Sequence, residues 1–184
     1  MLMCFRLGLY RQGLLHDLSK YNPVEFFRGC KYYQGDRSPN NKEREIKGLS
    51  ESWLHHKGRN KHHFEYWIDY EMDKPGYCGG MLMPRRYVAE MFCDRVAACK
   101  TYEKEKYTDY SAAIFFFAGP GRMLMHDTTR RETGYLLAML CERGERETVR
   151  YIKHQYLAGA PVPESYDEDE MAARVREVQR AAHT

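Results

Sequence analysis

The stretch GLLHDLSKYNP, residues 13–23, places two side chains that can bind metals at the end of an apolar segment. Two leucines lead directly into His16 and Asp17, and the Asn-Pro step that follows is typical of a helix start. Two interpretations are open. Either His16 is a core histidine and Asp17 or Ser19 caps the next element, or His16 and Asp17 bind a metal ion. Other parts of the sequence must decide between them.

The composition is that of a soluble globular protein. With 184 residues, of which 43% are hydrophobic and 30% charged, the chain can bury a sizeable core. Its net charge of +3 is too small for a dedicated nucleic-acid binder, so nucleic acid is not the favoured partner. We expect a single domain over residues 1–184, with a C-terminal helical extension from about residue 145.

The cysteines and the apolar runs bear on localisation. The six cysteines are scattered without a Cys-x-x-Cys pair, and Arg6 and Arg11 interrupt the apolar start in a way that excludes a signal peptide. Reduced thiols suit the cytoplasm. No apolar run approaches the roughly 20 residues that cross a bilayer. The sequence therefore predicts a cytoplasmic protein without a membrane partner, and it leaves the oligomeric state open.

Helical periodicity dominates the chain, and no segment alternates in the manner of a strand. The clearest pattern follows Pro84, where Tyr87, Met91, Asp94 and Ala98 recur at i, i+4, i+7 and i+11. Further helices are predicted before His16 and over residues 23–33, 43–56, 61–70, 129–144, 147–157 and 167–182, the bounds being approximate. The predicted fold is all-α, a compact multi-helix bundle.

Asp94 lies within the apolar stripe of its predicted helix. Burying a carboxylate costs several kcal/mol unless a charge compensates it, and Arg95 points about 100° away around the helix. The alternatives are a buried Lys or His partner, or a metal. A metal bound by His16, Asp17 and Asp94 would neutralise both carboxylates, and mixed N and O ligands suit Mn, Fe, Co, Ni or Zn.

Four histidines form two doublets in HHKGRNKHH, residues 55–63. His55 and His62 are seven residues apart, as are His56 and His63, so in a continuous helix each pair would share a face. The alternative is a solvated basic patch that includes the three cations of the run, Lys57, Arg59 and Lys61. The flanking aromatic residues of WLHH and HHFEYW favour a binding site over a plain surface patch.

Three motifs together resemble those of a known superfamily. LLHDLSK is similar to the His-Asp-small-Lys signature of the HD-domain metal-dependent phosphohydrolases, and EMFCDRVAA is similar to their final-aspartate helix. The order of His-Asp, histidines and Asp is similar to that of the two-metal members. More narrowly, residues 9–140 or so resemble an uncharacterised family of small bacterial and phage proteins with HDLSK, WLHHKGRNKHH and CDRVAA motifs.

The resemblance implies a ligand set. His16 and Asp17 would bind the principal metal, Asp94 would complete that site, and Asp17 would bridge to a second ion. One histidine of each doublet would bind the second metal or a substrate phosphate; the doublets are His55 with His56 and His62 with His63. The superfamily pattern has a further histidine on the preceding helix, and none precedes His16, so the N-terminal helix is predicted to be truncated.

The resemblance also implies roles for cations. Lys20 matches the signature lysine, which contacts a phosphate or assists proton transfer, so Lys20 and Asp17 are the predicted catalytic residues. The local cations available to bind the substrate are Lys57, Arg59 and Lys61.

These inferences favour a metal-dependent phosphoester hydrolase with one or two divalent transition-metal ions. Its substrate would be a nucleotide or another small phosphorylated molecule. Two alternatives stay open: a di-iron oxygenase with an HD-like site, and a non-catalytic module that binds nucleotides or nucleic acid. The binding module predicts salt-dependent binding that survives chelation, and it would not require Asp94 in the apolar stripe.

Overall fold

The fold, seen in a computed structural model that describes residues 2–73 and 77–182, is all-α, as predicted. The α-helices of the described ranges are α1 (Leu2–Arg6), α2 (Tyr10–Leu15), α3 (Pro23–Tyr32), α4 (Pro39–Lys47), α5 (Glu51–Lys57), α6 (Arg85–Glu103), α7 (Ser111–Ala118), α8 (Asp127–Tyr151) and α9 (Glu168–Ala181). Their β structure is one antiparallel hairpin, in which β1 (Ile68–Tyr70) pairs with β2 (Cys78–Gly80).

The hydrophobic core lies mainly among α6, α7, α8 and α9. Phe92 of α6, Phe116 of α7, Leu136 of α8 and Val175 of α9 are almost fully buried in one cluster. Each such side chain contributes about 1.5–3 kcal/mol through burial. This core holds α6, and with it Asp94, in a fixed position.

Helices α3, α4 and α5 form a second layer. Helix α3 packs against both α4 and α5, and also against a 3-10 helix, Leu18–Tyr21. Asn22 caps α3 by accepting a hydrogen bond from the Val24 amide, and Pro23 occupies the first turn, as the sequence predicts. This layer brings the His16–Asp17 segment next to α5, which carries the first histidine doublet.

Two predicted helices are each broken into two by a glycine. The helix predicted before His16 is α1 and α2, separated at Gly8, whose φ is 82°. The helix predicted over 43–56 is α4 and α5, separated at Gly48, whose φ is 79°. A glycine in the left-handed region ends a helix. Ser50 then caps α5 by accepting a hydrogen bond from the Trp53 amide.

The prediction of a helix over residues 61–70 is wrong. That segment forms a turn, then a 3-10 helix, Phe64–Trp67, and then β1. Because β1 is a strand, the expectation that the chain contains no strand is also wrong. Asn60, directly before this segment, donates a hydrogen bond from its side chain to the His56 carbonyl. The amide thereby closes a turn instead of starting a helix.

The hairpin contacts the segment that precedes α8 closely. A Cβ added at Gly80 would lie 2.3 Å from the backbone nitrogen of His126 and 2.5 Å from the carbonyl oxygen of Leu124. Only glycine fits there.

Helix α8 extends into the segment predicted as a separate helix over 147–157. It is interrupted at Gly144, whose φ is 73°, and continues as a π-helix, Ile152–Tyr156. The single domain over 1–184, with an extension from about residue 145, stays a prediction. No helix in the described ranges combines the length and the hydropathy that crossing a bilayer requires.

Candidate metal centre

The centre begins at a turn in the backbone at Asp17. This residue follows α2 and has a φ of 60°, in the left-handed region that few residues other than glycine adopt; Asp is one of them. Uncommon backbone conformations of this kind cluster at functional sites. The turn separates α2 from the 3-10 helix and leaves the Asp17 carboxylate mostly buried.

A first group of side chains could bind a metal ion: His16, Asp17, His62 and Asp94. One ligand atom from each lies within 4.8 Å of all the others. His16 Nε2 is 3.3 Å from Asp94 Oδ1 and 3.5 Å from Asp17 Oδ2. The structure thus brings Asp17 and Asp94 together, although 77 positions separate them along the chain.

A second group, Asp17, His56, His62 and His63, meets the same 4.8 Å limit. Asp17 Oδ1 is 3.3 Å from His56 Nε2 and 3.4 Å from His62 Nε2. The Nε2 atoms of His56 and His63 are 2.9 Å apart. Asp17 and His62 belong to both groups, and the two oxygens of Asp17 face different groups.

The donor atoms fit a divalent transition metal. Asp17 Oδ1 and His62 Nε2 are buried, and neither has a hydrogen-bond partner among the described residues. Such an atom costs about 1–3 kcal/mol. A cation between the two atoms would satisfy both. Imidazole nitrogens and carboxylate oxygens together suit Mn, Fe, Co, Ni or Zn, and two overlapping groups have room for one ion or two.

The carboxylate of Glu90 orients two of the histidines. Its Oε1 is 3.1 Å from His16 Nδ1 and 3.2 Å from His62 Nδ1, while Gln12 Nε2 donates to its Oε2 at 2.7 Å. Because a carboxylate only accepts, both Nδ1 atoms donate, and both Nε2 atoms are left to face the centre. Glu90 and Asp94 are four residues apart on α6 and share one face.

Glu25 plays the same part for the first doublet. Its oxygens lie 2.5 Å from His55 Nδ1 and 2.8 Å from His56 Nδ1. Glu25 lies in the first turn of α3, and its carboxylate is buried against α5 and accepts a hydrogen bond from Ser19 Oγ at 3.2 Å. His56 Nε2 is thereby directed at Asp17.

The charges of the centre are strongly coupled. Burial lowers the pKa of His16, but Asp94 and Glu90 together raise it to about 10. Burial likewise lowers the pKa of His62, but Asp17 and Glu90 raise it to about 9. Burial and the nearby His62 hold the pKa of His63 well below its usual value, so its ring is neutral.

The pKa values of the two carboxylates are lowered, whereas those of His16 and His62 are raised. Burial raises the pKa of Asp94, but contact with His16 lowers it to about 2. Burial also raises the pKa of Asp17, while His56 and His62 lower it far below its ordinary value. Both carboxylates are therefore ionised at neutral pH and available to a cation.

The centre is closed on one side and open on the other. The side chains of His62 and His56 are only 2% and 5% exposed, whereas that of Asp94 is 26% exposed. Lys20, on the 3-10 helix, is 62% exposed and places its Nζ 2.6 Å from Asp17 Oδ2. Solvent thus reaches the ligands from the side of Lys20 and Asp94.

Some predicted residues lie outside both groups. His55 contacts Glu25 and belongs to neither, so the structure brings His56 of the first doublet, and both histidines of the second, to the centre. Arg59 donates to the His55 carbonyl, and Lys61 lies over the Tyr66 ring. Lys57, Arg59 and Lys61 make no hydrogen bond or ion pair to either group in the described structure, and their role in substrate binding stays a prediction.

Glu90 and Glu25 orient ligands of the centre, and the sequence alone does not single out either of them. A signal for Glu90 was present, since it lies one helical turn before Asp94 in a predicted core-facing helix. No local pattern identifies Glu25 as a partner of His55 and His56, because that contact depends on how α3 packs against α5.

The comparisons with known proteins bear on the family. The sequence profile of a family of unknown function, DUF5662, matches residues 1–138 of the 184. The chain belongs to DUF5662. This agrees with the expectation of an uncharacterised family. The match does not name the HD-domain superfamily, and that resemblance stays a prediction.

The matched range of the DUF5662 chain contains both ligand groups, Glu25 and Glu90. A search of curated proteins and a search of solved structures each found no match. The chemistry of the DUF5662 chain must therefore be argued from its own centre.

Proposed function

We propose that the protein is a metal-dependent phosphoester hydrolase whose substrate is a nucleotide or another small phosphorylated molecule. The observation that carries the proposal is the convergence of His Nε2 atoms and carboxylate oxygens on Asp17 from α5, α6 and two connecting segments. The centre is also open on one side, as catalytic metal sites are, because substrate and water need a free position.

The ligands divide into two parts. Asp17, His16, His62 and Asp94 would bind the principal ion, and His56 and His63 together with Asp17 would hold a second one. When bound, a divalent transition metal lowers the pKa of a coordinated water towards neutrality and neutralises charge on phosphoryl oxygens.

Lys20 supports a phosphate substrate. Burial lowers the pKa of Lys20, but the neighbouring Asp17 raises it above its ordinary value, so the ammonium group stays charged. Of the two roles implied by the resemblance, this favours contact with phosphate over proton transfer. A cation at the open side of the centre stabilises the negative charge that develops on the phosphoryl oxygens during attack.

Metal content and hydrolysis test the proposal. We expect the purified protein to contain near-stoichiometric transition metal and to hydrolyse a chromogenic phosphomonoester or phosphodiester, and we expect Asp17→Asn to lose both properties. Asp127→Asn is the matched control, because Asp127 also follows a histidine but is exposed at the start of α8 and lies outside both groups. Hydrolysis that persists in Asp17→Asn would refute the assigned centre.

A second pair of variants separates metal binding from chemistry. Lys20→Gln should keep the metal and lower kcat, whereas Lys153→Gln, which changes an exposed lysine outside both ligand groups, should leave kcat unaltered. Loss of metal in Lys20→Gln would assign the lysine to the structure of the centre instead.

The same experiment decides the alternatives. Bound iron with a di-iron optical signature and no phosphoester hydrolysis would favour an oxygenase, for which the N and O ligands are equally suited. Nucleic-acid binding that weakens with salt and survives chelation would favour the binding module.

A further inference from the structure

The positive charge of the chain is concentrated at one end. Residues 1–33 contain five basic and two acidic residues, and residues 34–184 contain 24 of each, so the N-terminal segment accounts for the whole net charge of +3. Both acids are withdrawn from solvent: Asp17 faces the metal centre, and Glu25 is buried against the first histidine doublet. The surface of residues 2–33 therefore presents cations and no exposed carboxylate.

The same segment exposes large apolar side chains. Six of them, each between 48% and 78% exposed, lie within residues 14–27 and are called the apolar face: Leu14, Leu15, Leu18, Tyr21, Phe26 and Phe27. Ordinary monomeric proteins expose such residues singly. Six within 14 positions therefore indicate a surface that something covers.

The elements that carry these side chains lie next to one another. Leu18 and Tyr21 are three residues apart in a 3-10 helix, where positions i and i+3 share a face. That helix packs against α3, whose Phe26 and Phe27 rings have centroids 5.7 Å apart. Leu15 precedes Leu18 by three residues, a reach of at most about 10 Å.

We propose that the apolar face docks on the surface of an anionic lipid bilayer. Leucine and aromatic side chains would enter the interface, and nearby cations would meet the headgroups. Arg11 and Lys31 are exposed and form no ion pair in the described structure, so both are free for that role. A second copy of the chain suits the face less, since pairing would bring two segments of charge +3 together.

This inference revises the sequence-based expectation of no membrane partner, which considered only segments that could span a bilayer. Docking on a surface needs no spanning helix. The inference does not rest on hydrolysis, and it is tested by binding alone.

Vesicle flotation tests the apolar face. We expect the full chain to float with vesicles that contain phosphatidylcholine and phosphatidylserine, and not to float with vesicles of phosphatidylcholine alone. High salt should release the chain from the anionic vesicles. Leu14→Ser with Phe27→Ser should lower the affinity about tenfold or more. Leu49→Ser with Met123→Ser should not, although it removes equally exposed side chains elsewhere on the chain.

A second pair of variants tests whether the positive charge near the apolar face contributes to vesicle binding. Arg11→Gln with Lys31→Gln should weaken binding to the anionic vesicles about thirtyfold, whereas Arg146→Gln with Arg176→Gln changes net charge equally and should have little effect. Thermal melts verify that all four variants fold. Equal binding by each pair and its control would overturn the proposal. So would a wild-type dimer that Leu14→Ser with Phe27→Ser dissociates, because it would assign the face to a second copy.

Discussion

At the scale of single residues, the carboxylate of Glu90 decides which nitrogen two histidines present. It accepts from Nδ1 of His16 and of His62, and this leaves both Nε2 atoms directed at Asp17 and Asp94. The sequence indicates His16, Asp17 and Asp94 because a histidine, an aspartate and a carboxylate within an apolar stripe are each uncommon in their local patterns. It does not indicate that His62 serves both groups, because that depends on a turn whose path local patterns do not specify.

Replacing Glu90 by glutamine is predicted to weaken metal binding about 10–100-fold, the usual effect of losing a partner that orients a ligand. The amide oxygen carries no charge, so it holds the two Nδ1–H groups less strongly, and the new NH2 group would face the donor Gln12 Nε2 where Oε2 now accepts. Competition with a metallochromic chelator measures the affinity. Glu142→Gln, which alters an exposed ion pair with Arg174, should leave it unchanged. Equal affinities for the two variants would show that Glu90 does not orient the ligands.

Metal binding is predicted to release about two protons at pH 7. The pKa of His16 is raised to about 10 and that of His62 to about 9, so both rings are protonated in the metal-free protein and must lose a proton to bind the ion. The apparent affinity should therefore rise with pH, by up to about 100-fold per unit below pH 9 and less steeply up to pH 10. Calorimetric titrations in buffers of different ionisation enthalpy count the protons. Release of none would contradict the charged state assigned to both rings.

At the scale of elements, hydrophobic periodicity predicts the helices better than their ends and breaks. Helix α6 follows its pattern because its apolar stripe meets the core, and α3 begins where Asn22 and Pro23 predict. The breaks at Gly8 and Gly48 depend on left-handed backbone conformations, which a glycine permits but does not require. The segment after Asn60 has helical periodicity, yet it turns back towards the centre and continues as β1.

The hairpin supplies a test of one such tertiary constraint. Gly80→Ala is predicted to lower the free energy of unfolding by about 3 kcal/mol, because its Cβ would meet backbone atoms of His126 and Leu124, which cannot rotate away. Chemical denaturation measures the difference. Gly29→Ala in α3 is the control, since its Cβ would meet nothing within 4 Å and alanine favours the helix by up to about 1 kcal/mol. Similar stabilities for the two variants would show that the hairpin adjusts freely.

At the scale of the whole molecule, the centre joins the two layers of the fold. His56 belongs to the second layer and His16 and Asp17 to the segment next to it, whereas Glu90 and Asp94 belong to α6, which packs within the core. The sequence predicts that distant acidic side chains meet around a cation, since burying them unpaired would be costly. How the layers are oriented depends on many packing contacts that no single motif specifies.

An ion that contacts both layers should stabilise the fold. A ligand that binds only the folded chain adds about 2.7 kcal/mol at a hundredfold excess over its Kd, which for a chain of this length is a rise in Tm of about 5–10 °C. Differential scanning fluorimetry of the chelated protein, with and without added Mn, Co, Ni or Zn, measures the shift. Asp17→Asn should lose the shift because it removes the carboxylate common to both groups, while Asp127→Asn should retain it. An equal rise in Tm in both variants would mean that the ion binds elsewhere. The two layers would then meet at Asp17 without a bound ion.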